Sequence, residues 1–197
     1  MKPVLALLAD APNAGAVLPQ VASEVGTAQA VRLYRVLLAR AIAAARGAGL
    51  TSTVWFRPAD AGAEFRRWLG ESADLRPQAS GDLGARAAAA VAGVNLPDGW
   101  LVLLRPVAGM DAQLLRRAHD LLMDHPIVLG AASDGGLYLV GGRVAPLAAI
   151  RALEHAGPGT LAGLRGQLEE EGISHAELPV RRTIESAADA RAARLLN

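Results

Sequence analysis

Pro3-Val4-Leu5-Ala6-Leu7-Leu8-Ala9, closed by Asp10, is the stretch whose reading decides the fold. A continuous apolar run this short is the pattern of a strand covered on both faces. Turn-forming residues from Asp10 to Gly15 follow it. From Thr27, read as an N-cap, to Arg46 the apolar positions Ala30, Tyr34, Leu37, Leu38 and Ala41 recur at helical spacing, and Gly47 and Gly49 stop the helix. Ser52-Thr53-Val54-Trp55-Phe56 is then a second strand, ended by Arg57-Pro58, and Asp60 opens a helix through Trp68. Together these make a βαβα opening.

The same alternation runs on. Asp82 to Val91 reads as an alanine-rich helix, Trp100 to Leu104 as a buried strand, and Asp111 as the cap of a helix carrying Leu114, Leu115, Ala118, Leu121 and Leu122. His125-Pro126 ends that helix. Strands follow at 127–131 and 137–140, separated by the turn Ser133-Asp134-Gly135-Gly136. Helices around 145–155 and 160–170, a strand near 173–178 and a helix from Glu185 to Leu196 complete the chain. With no shift of composition to divide it, the pattern predicts one α/β domain over residues 1–197, a mostly parallel sheet with helices on both faces. Ligands of such sheets sit beyond the carboxyl ends of the strands, which directs attention to loops 10–20, 57–60, 105–111 and 132–136.

Composition narrows the partners. With 197 residues, 52% of them hydrophobic, the chain is long and apolar enough for a sizeable core. Lys+Arg 20 against Asp+Glu 19 leaves no excess of positive charge for nucleic acid or an acidic membrane. Lys2 is the only lysine, which excludes Schiff-base and P-loop chemistry on that residue type. The absence of cysteine excludes disulfides and thiolate metal sites and fits a cytoplasmic protein. No window approaches the roughly 20 apolar residues of a membrane span. His119, His125, His155 and His175 show no metal-ligand spacing. Trp55, Trp68 and Trp100 fall on apolar positions of the core.

Three segments carry a resemblance. Asp10-Ala11-Pro12-Asn13-Ala14-Gly15-Ala16-Val17 with the following Ala30-Val31-Arg32-Leu33-Tyr34-Arg35, then Gln78 to Arg86 (QASGDLGAR), then Ser133 to Gly141 (SDGGLYLVG), lie in order along the chain. They resemble a bacterial glycosyltransferase family linked to arsenosugar biosynthesis. That resemblance implies the GT-A fold, a Rossmann-like three-layer α/β/α sandwich of nucleotide-diphospho-sugar transferases. It implies a nucleotide-sugar as ligand, contacted by Pro12, Gly15, Gly81, Asp82, Gly84, Arg86, Gly135 and Gly136, and places Asp134 beside the acceptor or sugar as a general base or metal-adjacent carboxylate.

Each segment also has a plain local reading. The glycines Gly81 and Gly84 allow close approach to a ligand at a helix N-terminus, while Asp82 is equally an N-cap. Asp134-Gly135-Gly136 is equally a hairpin turn.

The chain departs from the family pattern in two places. Leu18, Pro19, Gln20 and Val21 stand where the family carries lysine and arginine, so the first loop should bind phosphate poorly. Leu104 to Gly109 stands where the family has the aspartate of a metal site, so a divalent metal cofactor is not expected. Glu185 and Asp189 are the carboxylates kept near the C-terminus. Arg105, at the place of the metal, is expected either to neutralise a diphosphate directly or to be an ordinary surface arginine. Two functions follow: a glycosyltransferase-like protein with its catalytic residues partly lost, or a scaffold that keeps the fold and acts as a binding or interaction protein. A nucleotidyltransferase ranks below both, for want of a glycine- and lysine-rich first loop.

Overall fold

In a computed structural model describing residues 3–13, 15, 17–94 and 99–196, the apolar run forms strand β1 (Val4–Asp10). Side chains alternate across a strand, and β1 uses both faces. Leu5, Leu7 and Ala9 enter one core, Ala6 and Leu8 the other. The remaining strands are β2 (Thr51–Arg57), β3 (Asp74–Pro77), β4 (Trp100–Leu103), β5 (Ile127–Ala132), β6 (Leu137–Gly142) and β7 (His175–Arg181). They form one seven-stranded sheet in the order β3-β2-β1-β4-β6-β5-β7. Strand β6 is antiparallel to both its neighbours, and every other pairing is parallel.

Helices cover both faces, as the continuous apolar strands require. On one side α2 (Thr27–Ala48), α3 (Gly62–Leu69) and α5 (Ala112–Asp124) bury residues such as Leu38, Phe65 and Leu115. On the other, α4 (Leu83–Ala92), α6 (Leu147–Arg151) and α7 (Thr160–Glu170) bury Val91, Ile150 and Leu168. A third cluster joins α1 (Pro19–Val25) to α2 and to α8 (Ala187–Ala192) through Val21, Leu33, Leu37 and Ala190. The α/β fold with a mostly parallel sheet is thus as the sequence predicts.

The differences are local. Asp82 and Asp111 cap their helices, accepting from the N–H groups of Ala85 and Leu114 at 2.8 Å each. Thr27 does not cap α2; Gly26 does, because its φ of 91° turns the chain out of α1 directly into α2. Asp60 lies in a 3₁₀ turn (Ala59–Ala61) ahead of α3 rather than opening the helix itself. The last helix is shorter than expected: Ser186 caps it, forming a reciprocal capping box with Asp189.

Two elements are additional. Pro19, at the first position of α1, sits in a stretch read as loop, and β3 forms within a connection where no strand was expected. Among the described residues no helix is long and apolar enough to cross a membrane.

Candidate functional site

The parallel strands bring the ends of β1, β2 and β4 to one edge of the sheet. The reversal at β5–β6 brings the turn Ser133–Gly136 to that edge as well. A cleft of about 430 Å³ opens there, within the range of small-molecule sites. Leu8, Val17, Leu18, Pro19, Leu104, Pro106 and Ile184 give it apolar walls, and Asp10, Gln20, Tyr34, Arg105, Thr183 and Glu185 give it polar groups. The first loop and the segment after β7 therefore face each other across it. An antiparallel bridge between Val107 and Thr183, and the bond from Ala108 N–H to the Arg182 carbonyl, pin that C-terminal segment beside the β4 loop.

Arg105 follows β4 and is four-fifths buried on its side chain. All its nitrogens are engaged. Nη2 donates to both oxygens of Asp134 at 2.7 Å, Nη1 donates to Glu185 at 3.0 Å, and Nε donates to the Leu137 carbonyl at 3.2 Å. Asp134 also accepts from the Gly136 N–H at 2.9 Å. Burial pushes the Asp134 carboxyl up. The bonds from Arg105 and Gly136 and the guanidinium charge outweigh it and hold the group below the usual carboxylate range.

Asp134-Gly135-Gly136 is a hairpin turn. Gly135 has φ +80°, and a Cβ on Gly136 would lie 2.2 Å from the Ala156 carbonyl oxygen.

The second cluster lies at the ends of β1 and β2. Asp10, paired in register with Arg57, bonds the Arg57 guanidinium, and that contact raises the Arg57 pKa. The Asp10 N–H donates at 2.9 Å to the buried Tyr34 hydroxyl. Burial, then the Asp10 charge, raises the Tyr34 pKa, so the phenol stays protonated. Gln78 Nε2 donates to the carbonyls of Ala9 and Trp55, at 2.9 and 2.8 Å, and its Oε1 accepts from Arg86 Nη1 at 2.9 Å. Arg86 also donates to the Asp82 carbonyl at 3.1 Å. Burial and the neighbouring Arg57 charge lower the Arg86 pKa, while Asp10 and Asp82 oppose them.

The expected site residues thus divide into separate groups. Arg105, Asp134, Gly135 and Gly136 come together, joined by Glu185. Gly81, Asp82, Gly84 and Arg86 are at the head of α4, Pro12 is buried in the first loop and Gly15 is exposed there. Asp82 lines a different depression, formed by α4 with Leu147 and Arg151, and not the cleft that holds Arg105. At the head of α4, Asp82 acts as the N-cap, its side chain accepting from the Ala85 N–H. Gly84 also has another reason to be small: a Cβ there would lie 2.3 Å from the Arg151 carbonyl oxygen, so it lets α4 press against α6. Tyr34, Asp10 and Glu185 are cleft residues that were not expected as a group. The position of Asp10 at the carboxyl end of the first strand was the available signal.

The surroundings of Arg105 do not fit a divalent metal. The guanidinium lies between Asp134 and Glu185 and binds both carboxylates, where a second cation would be repelled.

Comparison with known structures agrees on the fold. The chain is similar to a protein from Desulfovibrio desulfuricans G20 described as a candidate nucleotide-diphospho-sugar transferase, at 19% identity and TM-score 0.84, covering 94% of this chain and 84% of that one. It is similar to 4-diphosphocytidyl-2C-methyl-D-erythritol synthase from Anaerococcus prevotii DSM 20548, at 11% identity and TM-score 0.61, over 98% and 96% of the two chains. CMP:2-keto-3-deoxy-manno-octonic acid synthetase in complex with CTP matches at 12% identity and TM-score 0.59 over 100% of both chains. No curated protein matches by sequence. The family described as uncharacterized protein conserved in bacteria, DUF2064, matches residues 38–156, well over half of the sequence, and the chain belongs to that family.

Proposed function

We propose that the cleft beside Arg105 binds the diphosphate of a nucleotide-sugar and that the protein is glycosyltransferase-like, with part of its catalytic equipment lost. The observation that carries this reading is an arginine fixed in the wall of a cleft with mixed apolar and polar lining, at the strand ends where α/β sheets bind ligands. A guanidinium gives a diphosphate bidentate bonds and stabilises the charge that develops as the diphosphate leaves. The protonated Tyr34 hydroxyl donates to an uncharged oxygen of the ligand, and Leu8, Leu104 and Ile184 cover its apolar faces.

In this reading Asp134 positions Arg105. Its oxygens are already bound by Arg105 and Gly136, and its lowered pKa makes it a weak base. The narrower assignment to arsenosugar biosynthesis rests on the QASGDLGAR and SDGGLYLVG motifs. The fold shared with the synthetase in complex with CTP is compatible with nucleotide binding in general and does not select the sugar.

The test is a thermal-shift screen of nucleoside diphosphates and nucleotide-sugars, with and without Mn²⁺. A ligand at a hundred times its Kd stabilises by about 2.7 kcal/mol. The expected result is stabilisation that needs no Mn²⁺ and disappears in Arg105→Ala. Absence of a shift with every compound overturns the proposal. It would leave the second reading, a binding or interaction scaffold, which the pairing of Arg105 with two carboxylates favours.

A further inference from the structure

Arg105 has two carboxylate partners, and they are held in very different ways. Asp134 is 16% exposed, uses both oxygens on Nη2 and takes the Gly136 N–H as well. Releasing it would strand a charge under the hairpin, at the cost of a broken buried pair. Glu185 is 56% exposed and reaches Nη1 by a single contact of 3.0 Å. Once released, its carboxylate is free to hydrate, because exposed ion pairs are weak.

The backbone around Glu185 is anchored independently of that contact. The Glu185 N–H donates to Asp189 at 3.3 Å, the Ala187 N–H donates to Glu24 at 2.7 Å, and Ser186 and Asp189 form the cap of α8. The Glu185 side chain is therefore able to leave Arg105 by rotating about its own bonds, with the segment after β7 unmoved. Both Arg105 and Glu185 line the cleft, so the Nη1 donor that Glu185 vacates stays within it.

We infer that Glu185 is an internal substitute for the anionic group of the ligand: it occupies Nη1 of Arg105 in the empty cleft and is exchanged for a ligand phosphate, while Asp134 keeps Nη2 throughout. The exchange preserves the charge balance around the guanidinium, one anion leaving as another arrives. It also makes Glu185 a selectivity device. A ligand without an anionic group gains nothing from Arg105, because the self-contact is not displaced. A ligand with two negative charges on adjacent phosphates competes better than one with a single charge. The inference deepens the nucleotide-sugar reading and rests on the cleft being its site.

The test uses inorganic pyrophosphate as probe, by calorimetric titration of the full chain. In Glu185→Gln the competing charge is gone, and the pyrophosphate Kd should fall by about 2- to 5-fold, the range expected for removing one exposed ion pair. Glu185→Ala should give the same gain, and thermal unfolding checks that both variants fold. In an Arg105→Gln background the gain should vanish. Unchanged or weaker pyrophosphate binding in Glu185→Gln, failure of pyrophosphate to bind either protein, or an equal gain without Arg105 overturns the exchange. Nucleoside diphosphates are titrated in parallel. If pyrophosphate shows the gain and no nucleoside diphosphate binds either protein, the exchange stands and the nucleotide reading falls.

Discussion

Two arginines at the same edge of the sheet, Arg86 and Arg105, are held by opposite means. Arg86 is held by neutral groups, the Gln78 amide oxygen and the Asp82 carbonyl, with Gln78 itself fastened to the main chain of β1 and β2. Arg105 is held by two carboxylates. Among the described residues, the first arrangement leaves the positive charge without a direct ion pair, and the second cancels it twice over. A cation wired to carbonyls is ready for an anion without rearrangement, whereas one wired to carboxylates must first exchange a partner. Under the proposed function, the cluster at β1 and β2 would supply long-range attraction, and the cluster at β4 a conditional contact.

The contrast can be attacked where it depends on close packing. Gly136→Ala would drive a methyl group to 2.2 Å from the Ala156 oxygen and 2.5 Å from Arg105 Nη2, disturbing the hairpin and the arginine together. Overpacking against main chain should cost about 3 kcal/mol, read as a lowered midpoint in urea unfolding. Gly84→Ala, which meets the Arg151 oxygen at 2.3 Å, should cost a similar amount yet leave the Arg105 cluster intact. Its surviving fold should therefore bind pyrophosphate as the unaltered protein does.

Asp134→Asn comes next, at about 2 kcal/mol, because it removes the charge from the better buried partner of Arg105. The pH dependence checks the cause. The folded-state pKa of Asp134 is depressed, so its contribution is complete above the unfolded value of about 3.9 and is lost as pH falls through the folded value. The parent protein should lose this increment of stability in acid below about pH 4, and Asp134→Asn should not. A parallel acid profile for the two proteins would show that Asp134 is not held by Arg105 as described.

Gln78→Ala removes three hydrogen bonds and should destabilise by about 1.5 kcal/mol in urea unfolding, as Arg86 loses its orientation. Arg57→Ala is the mildest change. The pair with Asp10 is half exposed, so unfolding should shift by less than about 0.5 kcal/mol, while the salt dependence of anion binding becomes shallower. Calorimetric titration at two ionic strengths reads that slope. A slope unaltered in Arg57→Ala would remove the β1–β2 cluster from the electrostatics of the cleft.

Much of the architecture was legible in the sequence because it follows from pattern. Apolar runs at β1, β4 and β5 and the helical periodicity of α2 and α5 are encoded within each segment. Strand β3 was not, since Asp74-Leu75-Arg76-Pro77 is a short, polar edge strand. Its identity comes from β2, including a bond of 2.5 Å from the Thr53 hydroxyl to Asp74. Helix α1 was hidden for a similar reason. Its seven residues are kept helical by Val21 packing with α2 and α8, although Pro19 at its first position was a usable mark.

Among the candidate residues, the sequence singled out Asp82, Arg86 and Asp134 by motif and Arg105 by its place in a departure from the pattern. It did not show which of them meet. The convergence of Arg105 with Glu185, 80 positions apart, is a product of sheet order, and no local spacing records it.

Two of the cleft walls come from residues 17–20 and from 183–185, far apart in the sequence. A ribosome making this protein must pass residue 185 before the second wall exists. A ligand of this cleft would therefore be unable to template the early stages of folding and would act only once residues 183–185 have docked. A nascent chain halted after β7 would carry the whole sheet and have only one side of its cleft.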